Sequence, residues 1–366
     1  MLIYVAVFFF STLFYKLSQN SSNTIIRIAL IVIAILIPSF IAGCRDEIVG
    51  RDFLGAYGTY VWDSMCKAQK LTDINVFALE DISSLYVLFN YLLSRFSHDC
   101  HFFFFFHELF VVTIIIFVCE CLKKKIDSWI FYALFLLYLY NDSFNMLRQI
   151  MAVSLGAYST YLLLQRKLVW SYCVVVLAFF FHSSALLLLT QYPLMLLIDM
   201  FGHRRILLTL IICLSLGAIV YGSQFILKSF IDYGLVESRY SDYISSSGNK
   251  SNKYDLMYLA CMLVTITFVT SKIWRAKKIY NYAFYYTLVS FFLTLTGSLT
   301  GLASRAAFYY ILPTFFILPL SSIKRSDKRI IMYLLLFFLS IRFLYIASGG
   351  NWSDTIPYKS KILGIY

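Results

Sequence analysis

Five titratable side chains stand where an otherwise apolar chain can least accommodate them. Arg148, in NDSFNMLRQIMA, and Arg305, in GLASRAAFYYILP, fall within the first turns of apolar runs. A guanidinium inside a membrane span costs at least ~2.5 kcal/mol, so such a group faces a cavity or a partner, or snorkels to the headgroups. A structural ion pair meets that need. So does a phosphate, whose oxygens match the planar fork of donors at two points. His182, in AFFFHSSALLLL beside Ser183 and Ser184, titrates near neutrality and suits proton transfer, although a histidine at a helix end also serves as a plain hydrogen-bonding group. Arg51 and Asp52 lie in VGRDFLGAYGTYVW, where a charged pair precedes Tyr57 and Tyr60; a weak loop salt bridge is the plain alternative.

The elements that must position these residues are membrane spans. Of 366 residues 60% are apolar and 14% charged, and the mean hydropathy is +0.76. Soluble domains carry roughly 25% charge and could not hide so much apolar surface. Apolar runs predict spans near 2–15, 24–43, 102–121, 128–141, 144–164, 168–182, 183–200, 206–227, 255–271, 279–300, 303–321 and 329–346, about twelve (11 to 14) in an all-α polytopic fold. Residues 2–15 have neither the basic lead nor the small-residue cleavage site of a signal peptide, and are expected to be a retained first helix. The net charge of +12 sits in short loops between spans, so it reports topology and not a nucleic-acid partner. The eight cysteines are scattered with no CxxC, so no metal site is expected. Cys44 and Cys66 share one loop, but nothing in the sequence indicates a disulfide.

Basic clusters mark cytoplasmic connections: Lys16 with Arg27, Lys123 to Lys125, Arg166 with Lys167, Arg204 with Arg205, Lys272 to Lys278, and Lys324 to Arg329. Every second loop is basic, which sets both termini outside. Residues 83–96 are apolar enough to cross, but a crossing there would put Lys123 to Lys125 outside, so a re-entrant or interfacial helix is expected. The single transmembrane domain, 1–366, then carries two long external loops. Residues 44–82 hold seven acidic against four basic side chains, and 228–254 are rich in Ser, Tyr and Gly. Arg51, Asp52, Arg148, His182 and Arg305 all map to that external face.

Taken together, GRDFLGAY at 50–57, FNMLRQIMAVSLGAYSTYLL at 144–163, FFFHSSALLLL at 179–189, SRAAFYY at 304–310 and IPYKS at 356–360 resemble the Wzy-type O-antigen and exopolysaccharide polymerases of the EpsG-like family. Many relatives carry Asp-Tyr where this chain has Asp52-Phe53. The resemblance implies a GT-C-type glycosyltransferase architecture in a bacterial inner membrane, with its site facing the periplasm. It implies transfer of a growing glycan from undecaprenyl pyrophosphate to the non-reducing end of a lipid-linked repeat unit. Membrane lipid and a chain-length regulator protein are the further partners it implies, and no cofactor is required. On that reading Arg51, Arg148 and Arg305 bind pyrophosphate and Asp52 or His182 deprotonates the acceptor. Tyr57, Gln149, Tyr309 and Tyr358 would line the sugar or lipid path.

A secondary transporter of a sugar or lipid-linked glycan would suit twelve spans, but no two-fold hydropathy repeat is evident. An O-antigen ligase or a membrane acyltransferase shares the substrate class. The threading itself is testable. A cysteine introduced as Tyr240→Cys is expected to react with an impermeant thiol reagent added outside intact spheroplasts, and one introduced as Lys124→Cys is not. The opposite labelling would overturn the topology.

Overall fold

The computed structural model describes residues 1–73, 83–202, 204–232, 260, 278–296, 305–320, 325–349 and 354–366, and among them the chain is all-helical. In chain order the helices are α1 (Leu2–Asn20), α2 (Thr24–Cys44), α3 (Asp63–Lys67), α4 (Ser84–Ser94), α5 (Cys100–Leu122), α6 (Ser128–Leu139), α7 (Leu147–Leu164), α8 (Leu168–Phe179), α9 (Gln191–Phe201), α10 (Arg205–Asp232), α11 (Lys278–Thr296), α12 (Phe308–Leu320) and α13 (Arg325–Ser348). A π-helix, Phe53–Trp62, precedes α3. The chain is a membrane protein: Leu2–Asn20, Thr24–Cys44, Cys100–Leu122, Ser183–Phe201 and Ser326–Ser348 are each long and apolar enough to cross a bilayer. The predicted run 183–200 begins as a 3-10 turn, Ser183–Thr190, before α9. The segment expected to be re-entrant is the short helix α4, and the first external loop is itself partly helical. The expected span 255–271, apart from residue 260, and most of the 228–254 loop lie outside the described residues.

Two compact units are formed, Met1–Leu186 with Leu336–Tyr366, and Leu187–Leu335. In the first, local sequence sets the helix ends. Asn23 caps α2 by accepting the Ile25 and Ile26 amides at 2.9 and 3.2 Å, and Asp99 caps α5 through the His101 amide at 2.9 Å. Pro38, inside α2, has no N–H to offer the Ala34 carbonyl one turn back. In an apolar solvent that orphan acceptor must be met by the protein. Ser11 Oγ from α1 donates to it at 2.6 Å and Tyr132 from α6 at 3.1 Å, while Tyr140 donates to the Pro38 carbonyl at 2.7 Å. One proline thus fixes where three helices meet. At one end of this unit Glu120 pairs with Arg27 and, at 2.7 Å, with Lys123. The Lys125 ammonium donates to Gln165 at 2.9 Å.

The second unit packs α9, α10, α11 and α12. Gln191 Nε2 donates to the Tyr309 carbonyl at 3.1 Å, and hydroxyl bonds join Thr190 to Tyr310 and Tyr282 to Asp199. Along α11, Thr287, Ser290 and Thr294 return their hydroxyls to carbonyls four residues back, which keeps polar side chains satisfied without a partner helix.

α2 and α5 approach most closely at Gly43, where an added Cβ would lie 2.9 Å from Phe105 Cβ and 3.3 Å from its Cα. Small residues at such crossings let backbones touch. Gly43→Val is expected to cost about 1–3 kcal/mol by overpacking and to lower the melting temperature in detergent by several degrees. The lipid-exposed control Phe40→Leu should leave it unchanged. An unaltered melt for Gly43→Val would show that the helices do not close there.

Candidate functional site

At the Tyr4 end of α1, residues 45–51 run between α2 and the π-helix and are tied down by a strap formed from residues 354–361. Gly50, at φ +99°, donates its amide to the Asp354 carbonyl at 3.0 Å, and an added Cβ there would meet the Phe144 carbonyl oxygen at 2.7 Å, so only glycine makes this turn. The Asp46 amide donates to the Lys359 carbonyl at 2.9 Å, and the Lys361 amide returns a bond to Asp46 Oδ1 at 2.8 Å. Ser360 Oγ donates to the Cys44 carbonyl, and Tyr4 donates to the Thr355 carbonyl at 2.6 Å. The exposed Arg51 guanidinium is ion-paired with Asp354, and its amide donates to Asn145 Oδ1 at 2.6 Å. Arg148 follows Asn145 by three residues, in the first turn of α7, a helix whose N-terminus has no side-chain cap. The structure therefore brings Arg51, Asp52 and the entry to α7 together with Asp354. A basic side chain at a positive helix N-terminus is unfavourable by itself and becomes favourable when an anion sits there.

Beneath this surface lies a charge that sequence reading did not single out. Arg45 is 1% exposed, with its guanidinium carbon 4.2 Å from the centres of both the Phe104 and Phe144 rings. Glu108, fully buried on α5, accepts from Ser143 Oγ at 2.6 Å and acts electrostatically on Arg45 without touching it as an ion pair. Burial pushes the Arg45 pKa down, and Glu108, Tyr4, Tyr140 and Tyr358 push it back up. The signal available in the sequence was the glutamate inside the FFFFFHELF run, an acidic group amid apolar ones, and Arg45 at the close of α2. Around them Asn141 Nδ2 donates to Thr355 Oγ1 at 3.1 Å and His107 Nε2 meets the Leu147 carbonyl at 2.6 Å.

The remaining candidates are distributed. Asp52 is half-buried at the start of the π-helix, which includes Tyr57; the Tyr57 side chain lies outside the described residues. Gln149 is buried, and Arg148 half-buried. The Tyr358 hydroxyl donates to the Ile41 carbonyl at 2.8 Å, which makes it part of the strap, and burial raises its pKa. His182 lies in the first unit near α4, whose Leu85 amide bonds the Phe180 carbonyl at 3.1 Å. Its Nδ1 accepts the Ser184 amide at 3.2 Å and lies 2.7 Å from Ser184 Oγ. An Nδ1 that accepts leaves the proton of a neutral imidazole on Nε2, so His182 presents a donor. Arg305, exposed, and Tyr309, buried, belong to the second unit.

A pocket of about 280 Å³ is lined by Glu47, Phe53, Leu54, Trp62, Asp63, His98 and Asp99 among others. Cys100 donates to Glu47 at 3.3 Å, and His101 Nδ1 lies 2.9 Å from the Gly43 carbonyl. The donor atoms of Asp99, Cys100 and His101 lie within 4.8 Å of one another, each already engaged in these local bonds. Cys44 and Cys66 are free thiols, and burial raises the pKa of Cys66, with Asp63 adding to the shift.

The family model described as "EpsG family" matches residues 28–360. No curated protein and no solved structure matches the chain.

Removing one member of a buried charge pair strands the other in low dielectric, at a cost of about 3–5 kcal/mol, whereas replacing both with apolar groups is far milder. Glu108→Leu and Arg45→Met are each expected to reduce the folded yield sharply, and the double variant to recover much of it. A thermal-denaturation double-mutant cycle measures the coupling; additive losses would show that the two charges are independent.

Proposed function

The chain belongs to the EpsG family, and from that premise we propose that it is a membrane-embedded polysaccharide polymerase. The donor is a glycan on undecaprenyl pyrophosphate, and the acceptor is the non-reducing sugar of a lipid-linked repeat unit. The full chain has about twelve spans in a GT-C-type arrangement within the inner membrane, with the reaction on its periplasmic face and a chain-length regulator as a partner. The observation that carries this reading is the union of Arg51, Asp52 and the uncapped, Arg148-bearing start of α7 at one end of the first unit.

In the reaction an acceptor hydroxyl attacks the anomeric carbon. The new C–O bond forms as the bond to the lipid pyrophosphate breaks, and the hydroxyl proton is given up to a base. The developing charge on the leaving pyrophosphate needs fixed cations aimed at it, and Arg51, Arg148 and the α7 amides supply them. Asp52 takes the acceptor proton. His182, with its proton on Nε2, hydrogen-bonds substrate and does not act as the base. The pocket that opens at Phe53 receives the acceptor sugar: its carboxylates repel pyrophosphate and accept hydrogen bonds from sugar hydroxyls, while Trp62 and Phe53 form an apolar wall. Gln149 lines the route of sugar or lipid. The activated donor supplies the driving force, so no cofactor is needed.

With purified enzyme and a synthetic lipid-linked repeat, Arg148→Lys is expected to lose about 10²-fold or more in polymerisation while folding normally, since lysine keeps the charge and loses the two-point grip. Asp52→Asn is expected to lose roughly 10²- to 10⁴-fold, and more than His182→Gln. A normal product ladder from stably folded Arg148→Lys, or near wild-type rates from Asp52→Asn, would remove that residue from the site.

A further inference from the structure

The first unit has a second feature that the reaction does not use. An apolar groove of about 420 Å³ runs between α1, α6 and the 336–344 stretch of α13. Its α1 wall is the stripe Val5, Phe8, Phe9, Thr12, Leu13 and Lys16, one helical face. Eleven residues of helix rise about 16 Å, close to half of the ~30 Å hydrocarbon layer, so the groove is about one leaflet deep. Its floor is packed: Phe8 meets Phe343 edge-on at 5.3 Å. Its outer rim is not, for Phe9 is 61% exposed and Leu344 50%.

Lys16 closes one end. Its ammonium stands 4.4 Å from the centre of the Trp129 ring, and among the described residues no carboxylate pairs with it, whereas on the same end of the unit Arg27 and Lys123 share Glu120. The cation at the mouth of the apolar channel is therefore open to an outside anion. Tryptophan beside lysine is the pairing expected at headgroup level. The opposite end of α1, at Tyr4, is bonded to the strap beside Arg51 and Asp354. A lipid-linked substrate with its pyrophosphate at Arg51 would have its head at that far end. A lipid whose phosphate meets Lys16 faces the other way.

We propose that this groove is a binding site for an anionic phospholipid of the leaflet at the Lys16 end, which the basic connections mark as cytoplasmic. Its phosphate is held by Lys16 beside Trp129, and an acyl chain lies along the α1 stripe toward Val5. The lipid acts as a wedge between α1 and α13.

Trp129 itself is the reporter. In the full chain with the other four tryptophans changed to phenylalanine, reconstituted in phosphatidylcholine vesicles, brominated phosphatidylglycerol should quench Trp129 about fivefold more effectively than brominated phosphatidylcholine at equal mole fraction. That factor is what one lysine near an anionic headgroup contributes. Lys16→Glu should abolish the preference, and Lys124→Ala should leave it. Equal quenching by the two lipids, or a preference that survives Lys16→Glu, would overturn the site. Relief of quenching by unbrominated polyprenyl phosphate would assign the groove to the substrate lipid and overturn it equally. Should the single-tryptophan chain fail to fold, phosphatidylglycerol retained by the wild-type protein and lost from Lys16→Glu in native mass spectrometry decides the same question. Polymerisation is scored separately, so an inactive polymerase leaves this result readable.

Discussion

A guanidinium closed between two phenylalanine rings is the constraint on which the Tyr4 end of the first unit depends. Arg45 ends α2, the most lipid-exposed of the long helices, yet it is taken out of both lipid and water. Desolvating such a charge costs several kcal/mol unless it is met from every side. Phe104 and Phe144 cover its two faces, Glu108, Tyr4, Tyr140 and Tyr358 lie within electrostatic reach, and its Nε and Nη1 make no hydrogen bond among the described residues. Those residues come from α1, α5, the turn before α7 and the strap. The demand of one charge therefore gathers elements remote in sequence, and Arg51, six residues further on, inherits its position.

Much of this was legible in the sequence because bilayer physics leaves few options. Runs such as TIIRIALIVIAILIPSF announce a span by length alone, and the helix 24–44 lies within a residue of its predicted limits. Arg51, Asp52 and Arg148 could be singled out because a charge at a span end demands a reason. Hydropathy was silent about the interior of the loop 44–82, where a π-helix forms, since a ten-residue segment of mixed character carries no clear period. Tyr358 shows a different limit: a tyrosine near the end of the chain reads as a wall for sugar, and only the fold reveals that its hydroxyl is spent on Ile41. Arg45 and Glu108 were hidden because their meaning is a pairwise one, sixty-three positions apart, and no local pattern links them.

Pro38 shows how the same solvent converts a defect into a joint. In water its orphaned partner, the Ala34 carbonyl, would simply be hydrated; in hydrocarbon it recruits Ser11 and Tyr132. The serines and tyrosines along α1 and α6 are thus there for hydrogen bonds that a soluble bundle of the same shape could do without.

The strap also dictates when this end of the molecule can exist. Tyr4 and Thr355, which bond to each other, are separated by 351 positions, and at roughly 5–20 residues per second a ribosome takes about 18 to 70 seconds between them. For most of that interval α1, α2 and the turn bearing Arg51 are already synthesised, and Arg45 waits without Tyr358. Insertion of the N-terminal helices and completion of the strapped end are therefore separate events in biogenesis. Any ribosomal product halted before residue 354 would sit in the bilayer with an ill-covered buried arginine, a conspicuous target for membrane quality control.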